Sequence, residues 1–237
     1  MLQALIFDVD GTLAYTEMAH LAAFNHAFKE AGLDWEWSVP VYTELLGISG
    51  GKERLRHYWE AVTPDIKAVH ANALQETIER IHLLKTAAYE QAVQDGQVQM
   101  RPGVLALIHE AHQAGLQLAI ATTTSPVNIS ALLRKAIGPD WTHFFLVVED
   151  ASTAPLKKPH PQVYGQTLSR LRLPASACQA FEDSENGLRA ALAARLPTIV
   201  TPNTFTQTHD FRGALQVLPS LEGVTVAQLQ ALHASLA

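Results

Sequence analysis

The 237-residue chain has one cysteine, a formal net charge of −6, and no apolar run approaching the roughly 20 residues of a membrane span. Each shortage closes off a class. The lone Cys178 excludes an internal disulfide; it fits a reducing compartment and reads as a small packing residue beside a strand. Met1-Leu2-Gln3 leads straight into an apolar segment with neither export signal nor anchor, so the expected setting is the cytoplasm, away from membranes. The acidic balance argues against non-specific nucleic-acid binding, and any anionic ligand would have to be drawn in by local cations. Hydrophobic content of 48% supports a sizeable core, in one large or two modest domains. No internal repeat or low-complexity segment is evident.

What is present is concentrated in Leu5-Ile6-Phe7-Asp8-Val9-Asp10-Gly11-Thr12. Residues 2–9 are apolar enough for a strand buried on both faces, as in a parallel sheet, where function collects at the carboxyl end. Residues two apart on a strand point the same way, so Asp8 and Asp10 can face one ligand, and Gly11 permits a sharp turn. Two carboxylates about 4 Å apart repel by on the order of 4 kcal/mol at an effective dielectric of about 20. A divalent cation is the natural third party. Taken alone, an Asp-x-Asp equally suits a turn cap. Three further segments place polar chemistry after strand-like runs: Leu116 to Thr124, ending in three threonines; Lys157-Lys158-Pro159; and Ala180-Phe181-Glu182-Asp183-Ser184.

Residues 16–92 contain no period-two pattern and read as helices: Glu17 to Ala31, Val39 to Leu46, Lys52 to Ala61, and a long one over Ile66 to Val93. From Pro102 onward helix and strand alternate, punctuated by Gly115, Gly138 and Pro197, with a last amphipathic helix near Val226 to Leu236. The expected architecture is α/β: a doubly wound parallel-sheet core from residues 1–15 and 93–237, with residues 16–92 inserted as a helical cap over the strands' carboxyl ends.

The ordered set Asp8-Val9-Asp10-Gly11-Thr12, Thr122, Lys158 and Glu182-Asp183 resembles the haloacid-dehalogenase superfamily of phosphatases and phosphomutases, and the resemblance covers the whole chain. It implies Asp8 as nucleophile, Asp10 as general acid and base, and Thr122 and Lys158 as phosphate binders with Thr123 beside them. It also implies Mg²⁺ held by Asp8, Glu182, Asp183 and the backbone carbonyl of Asp10. The expected reaction is in-line attack by Asp8, protonation of the leaving alcohol by Asp10, and hydrolysis of an aspartyl phosphate. Mg²⁺ suits such a set because it prefers hard oxygens in octahedral geometry.

The cap should choose the substrate, since the core pattern recognises only a phosphoryl group. Its distinctive stretch is Gly47-Ile48-Ser49-Gly50-Gly51-Lys52-Glu53-Arg54, where glycines admit an anion and Lys52 and Arg54 can hold a second phosphate. A plain helical joint with solvated charges fits equally. Thr16-Glu17, His20, Phe24-Asn25, Trp35-Glu36-Trp37, Tyr42 and Gly50 to Arg54 look most like the sugar-bisphosphate phosphatases of the subfamily that also holds β-phosphoglucomutases. This implies a small phosphorylated sugar, xylulose 1,5-bisphosphate, as partner. It also implies a monomeric enzyme with contacts from Glu17, His20, Tyr42, Gly50, Lys52, Arg54 and Lys85. Two alternatives remain: a sugar-phosphate mutase, against which Ser125-Pro126 and Ile48-Ser49-Gly50 depart from the usual pattern, and a phosphosugar-binding protein without turnover. Gly47-Ile48-Ser49-Gly50-Gly51 also matches a serine-hydrolase elbow but lacks the preceding strand, and His109-Glu110-Ala111-His112 is one residue short of zinc-protease spacing.

Overall fold

The computed structural model describes residues 1–62 and 71–236, residues 71 and 72 by their backbone alone. The chain divides into two compact units, residues 1–16 with 99–237 and residues 17–98.

The first unit is the expected α/β core. Six parallel strands, β1 (Ala4–Phe7), β2 (Gln117–Ala121), β3 (Val147–Glu149), β4 (Cys178–Glu182), β5 (Thr198–Val200) and β6 (Gln216–Val217), lie in the order β3-β2-β1-β4-β5-β6. The winding reverses at β1, which pairs with β2 on one side and β4 on the other. Such a switch point is where an open α/β sheet binds its ligand. Helices α5 (Val104–Gln113), α6 (Pro126–Ala136), α7 (Gln162–Leu171), α8 (Glu185–Ala193) and α9 (Val226–Ala234) connect and follow the strands. Ile6, Ala119, Ala121, Ala180, Val163 and Leu196 pack in one buried cluster, and the Phe7 and Phe181 rings stack at 4.7 Å. The wholly apolar β1 and the burial of nearly every residue of β2 and β4 suit central strands covered on both faces.

The second unit holds α1 (Glu17–Glu30), α2 (Val39–Leu45), α3 (Gly51–Val62) and α4 (Ala71–Gln94). The long helix expected from Ile66 appears from Ala71; its first residues lie outside the described ones. Phe24, Phe28, Trp35, Trp37, Tyr58 and Trp59 form an aromatic core. Asn25 clamps the extended segment before α2 by exchanging two hydrogen bonds with the Trp37 backbone, at 2.8 and 2.9 Å. The expected boundaries after 15 and 92 move to 16 and 98. Helix α4 runs on to Gln94, and the chain rejoins the core only at Gln99, whose carbonyl accepts the Tyr15 N–H at 2.9 Å.

Candidate active site

Both carboxylates of the first motif emerge beyond the end of β1. The ladder continues one residue past the strand, with the Asp8 N–H donating to the Phe181 carbonyl at 3.0 Å, and the chain then tightens as Leu13 N–H bonds Val9 O at 2.9 Å. Asp8 is buried and Asp10 half-buried. Beyond β2, Thr122 is held by its N–H on Glu149 O at 3.0 Å, and its hydroxyl accepts the Thr124 N–H at 3.4 Å. Thr123 follows, half-buried. At the end of β4, Ser184 caps α8 by accepting the Gly187 N–H at 3.2 Å, so Glu182 and Asp183 fall between strand and helix.

Lys158 joins these segments. Its ammonium donates to Asp8 Oδ1 at 2.7 Å, Glu182 Oε1 at 2.6 Å and the Ala121 carbonyl at 2.9 Å, and it lies 5.1 Å from the centre of the Tyr164 ring. The Tyr164 hydroxyl donates to the same Glu182 oxygen. Burial alone would lower the lysine's pKa, but Asp8 and Glu182 outweigh that and hold it above its ordinary value. The acids remain frustrated. Burial raises Asp8, with Asp10 adding repulsion, against the pull of Lys158. Burial likewise pushes Glu182 up to about 7 despite Lys158. One cation faces more negative charge than it neutralises.

That imbalance fits a divalent ion. Oxygens of Asp8, Glu182 and Asp183 lie within 4.8 Å of one another, and Glu182 Oε2 is buried with no hydrogen-bond partner among the described residues. Two glycines make room for the acids. A Cβ on Gly11, at φ +76°, would overlap Asp183 Oδ2, and one on Gly187 would overlap the Glu182 carboxylate. Asp183 is oriented by Asn203, whose Nδ2 donates to Asp183 Oδ2 at 2.8 Å. Asn203 is itself locked in a turn, its Oδ1 accepting from Phe205 N–H at 2.8 Å.

The residues expected in the cap form two buried clusters within the helical unit. In one, the Tyr42 hydroxyl donates to Glu17 Oε2 at 2.7 Å, and the Arg54 guanidinium lies over the Tyr42 ring. Arg54 Nε donates to Leu45 O at 3.0 Å and Nη2 to Ile48 O at 3.2 Å, so the arginine expected to meet a phosphate is turned onto the carbonyls of its own loop. In the other, Lys85 Nζ is 2.9 Å from His20 Nδ1, and His20 stacks on Tyr89 at 4.1 Å. Gly50 lies just before α3, its carbonyl accepting from Arg54 N–H at 3.0 Å, and Lys52 is exposed on the first turn of that helix. Ser49 follows helix α2 rather than a strand, as its rejection as a nucleophile requires.

Sequence reasoning passed over Tyr164, Asn203 and Arg101. Tyr164 sits on α7, six residues beyond Lys158, in a helix whose period marks only an apolar face. Asn203 belongs to a loop whose Pro-Asn-Thr composition reads as a turn. Arg101 stands next to Pro102 in what reads as linker, though a lone charge at the re-entry into an apolar core was a usable signal.

Comparison with known proteins is consistent in direction. A family model described as haloacid dehalogenase-like hydrolase matches residues 2–195. The plasmid-borne CbbY protein of Cupriavidus necator is 55% identical over 93% of this chain and 86% of its own length. The crystal structure of CbbY from Rhodobacter sphaeroides in complex with phosphate superposes with a TM-score of 0.87 at 39% identity, covering 97% of this chain and 100% of that one. A mutant form of that protein in complex with xylulose 1,5-bisphosphate gives the same TM-score and identity, covering 97% of this chain and 99% of that one.

Proposed function

This chain belongs to the haloacid dehalogenase-like hydrolases and is a phosphatase, and on that premise we propose that it hydrolyses a sugar bisphosphate, xylulose 1,5-bisphosphate, through a phosphorylated Asp8 with the help of Mg²⁺. The observation that carries the reaction type is the buried set in which Lys158 bridges Asp8 and Glu182 beside Asp183. The substrate rests on the relative at 39% identity whose mutant form was crystallised with that sugar.

Asp8 supplies the nucleophile: one carboxylate oxygen attacks phosphorus in line as the bond to the sugar oxygen breaks. Asp10, two residues on, gives its proton to the departing alkoxide and then takes one from the water that cleaves the aspartyl phosphate, returning inorganic phosphate. Lys158, already on Asp8, and the Thr122 hydroxyl hold the phosphoryl oxygens, and the lysine offsets their charge. Asp8, Glu182, Asp183 and the Asp10 carbonyl would hold Mg²⁺, which offsets phosphate charge and favours the ionised carboxylates. We assign Lys52, Glu17, His20, Gly50, Lys85 and Thr123 to substrate binding, with Tyr42 and Arg54 acting through the loop before α3.

The test is phosphate release, with and without Mg²⁺, from xylulose 1,5-bisphosphate, ribulose 1,5-bisphosphate and β-glucose 1-phosphate in parallel. Mg²⁺-dependent preference for the first supports the proposal. Turnover of an aryl phosphate with all three sugars poor keeps the mechanism and removes the substrate.

A further inference from the structure

Arg101 is an arginine almost wholly out of water, 3% exposed, at the point where the chain re-enters the core. The segment that carries it pairs with the segment leaving the first motif. Ala14 bridges Met100, and Arg101 N–H donates to Leu13 O at 2.8 Å. From there the guanidinium spans three loops. Nη1 donates to Gly11 O, to Thr201 O at 2.5 Å and to Thr201 Oγ1 at 3.2 Å; Nη2 donates to Pro202 O at 2.9 Å and Pro219 O at 3.3 Å. Its other face lies over the Tyr15 ring. Among the described residues its acceptors are four main-chain carbonyls and one hydroxyl, with no carboxylate.

A buried cation without a carboxylate partner is costly, and folds keep one where its geometry is needed. Only a planar fork of several N–H donors can bond oxygens on separate loops at once; an ammonium of the same charge has neither the span nor the directions. The loops it joins are specific ones. Gly11 follows Asp10 and faces Asp183, whereas Thr201 and Pro202 lead into Asn203, which orients Asp183.

We propose that Arg101 is a positioning residue for phosphoryl transfer, its guanidinium fixing the turn that carries Asp10 against the loop whose Asn203 aims Asp183. The proposal rests on the metal-assisted reading above. It makes Arg101 a determinant of Mg²⁺ affinity without touching metal or substrate, as partners behind a ligand shell commonly are.

Calorimetric titration of Mg²⁺ into the metal-free full chain, alongside kcat on an aryl phosphate at saturating Mg²⁺, tests this with Arg101→Lys, Asn203→Ala and the double variant. Each single change is expected to weaken Mg²⁺ binding by about 10- to 100-fold and to lower kcat. The double variant should lose less than the sum, because both act through Asp183. A purely structural arginine would lower the melting temperature and leave Mg²⁺ affinity and kcat unmoved; that result, or full additivity, overturns the proposal. Should Arg101→Lys not fold, Thr201→Val, which removes only the hydroxyl acceptor, must still weaken Mg²⁺ binding, and unchanged affinity there also overturns it. If the unaltered protein takes up no Mg²⁺, the site reading itself fails and this inference with it; if it binds normally and Arg101→Lys matches it, this inference alone fails.

Discussion

Lys158 Nζ lies 2.7 Å from Asp8 Oδ1, across 150 residues of chain, and the same ammonium reaches Glu182 at 2.6 Å. One buried cation thus bridges the carboxylates that follow or end two strands adjacent in the sheet, β1 and β4.

Removing that cation leaves two buried carboxylates facing each other. Lys158→Met is expected to destabilise the metal-free protein by roughly 3–5 kcal/mol, the usual cost of breaking a buried pair from one side. Phosphate release should fall by at least about 100-fold, since a charge clamp on the transferring group is lost. Denaturant melts with and without Mg²⁺, beside a phosphate-release assay, check both parts.

The raised acids make stability depend on pH in a definite direction. Glu182 ionises near 4.5 when unfolded but only near 7 in the folded chain, and Asp8 is shifted the same way. Between those values the folded state holds more protons, so stability of the metal-free protein falls as pH rises through this window and levels off above it. One unit is worth about 1 kcal/mol, and each kcal/mol moves the midpoint by roughly 2–4 °C at this chain length. Melting temperature should therefore drop by several degrees from pH 5 to pH 8. Mg²⁺, which favours the ionised acids, should raise it more at pH 8 than at pH 5. Glu182→Gln should flatten both trends; an equal Mg²⁺ increment at the two pH values contradicts the assignment.

Lys52 and Arg54, two residues apart on α3, should behave differently. Exposed Lys52 is expected to act on an anion directly, so Lys52→Ala should raise KM for the bisphosphate about tenfold more than for an aryl phosphate, with little change in melting temperature. Buried Arg54 braces the Leu45 to Ile48 carbonyls, so Arg54→Ala should cost about 2 kcal/mol of stability as well as selectivity. Steady-state kinetics on both substrates and thermal melts separate the two.

Cys178 is wholly buried on β4, and burial pushes its thiol up to about 11. The folded protein at pH 8 should therefore react with a thiol reagent at least about 100-fold more slowly than the unfolded chain, because the reactive thiolate is scarce and enclosed. Absorbance of the released chromophore, with and without denaturant, measures it.

The amino-acid sequence by itself determined the strands, the α/β alternation, the helical insertion and the order of the acidic, threonine and lysine segments. Apolar runs, helical periodicity and punctuating residues such as Gly115 and Pro197 act over a few neighbouring positions and are legible there. Tertiary structure alone decided how those segments meet. Nothing in the spacing of Lys158 and Glu182 says that one nitrogen will bond both Glu182 and Asp8, nor that Tyr164 will share the same oxygen. Arg54 is the clearest case: a cation beside glycines reads as an anion ligand, and only the folded loop shows its guanidinium bonded to the carbonyls of Leu45 and Ile48. Arg101 and Asn203 read as linker and turn for a related reason. Their partners lie on loops brought together only when the strands assemble, and local sequence carries no record of a bond made across 100 residues.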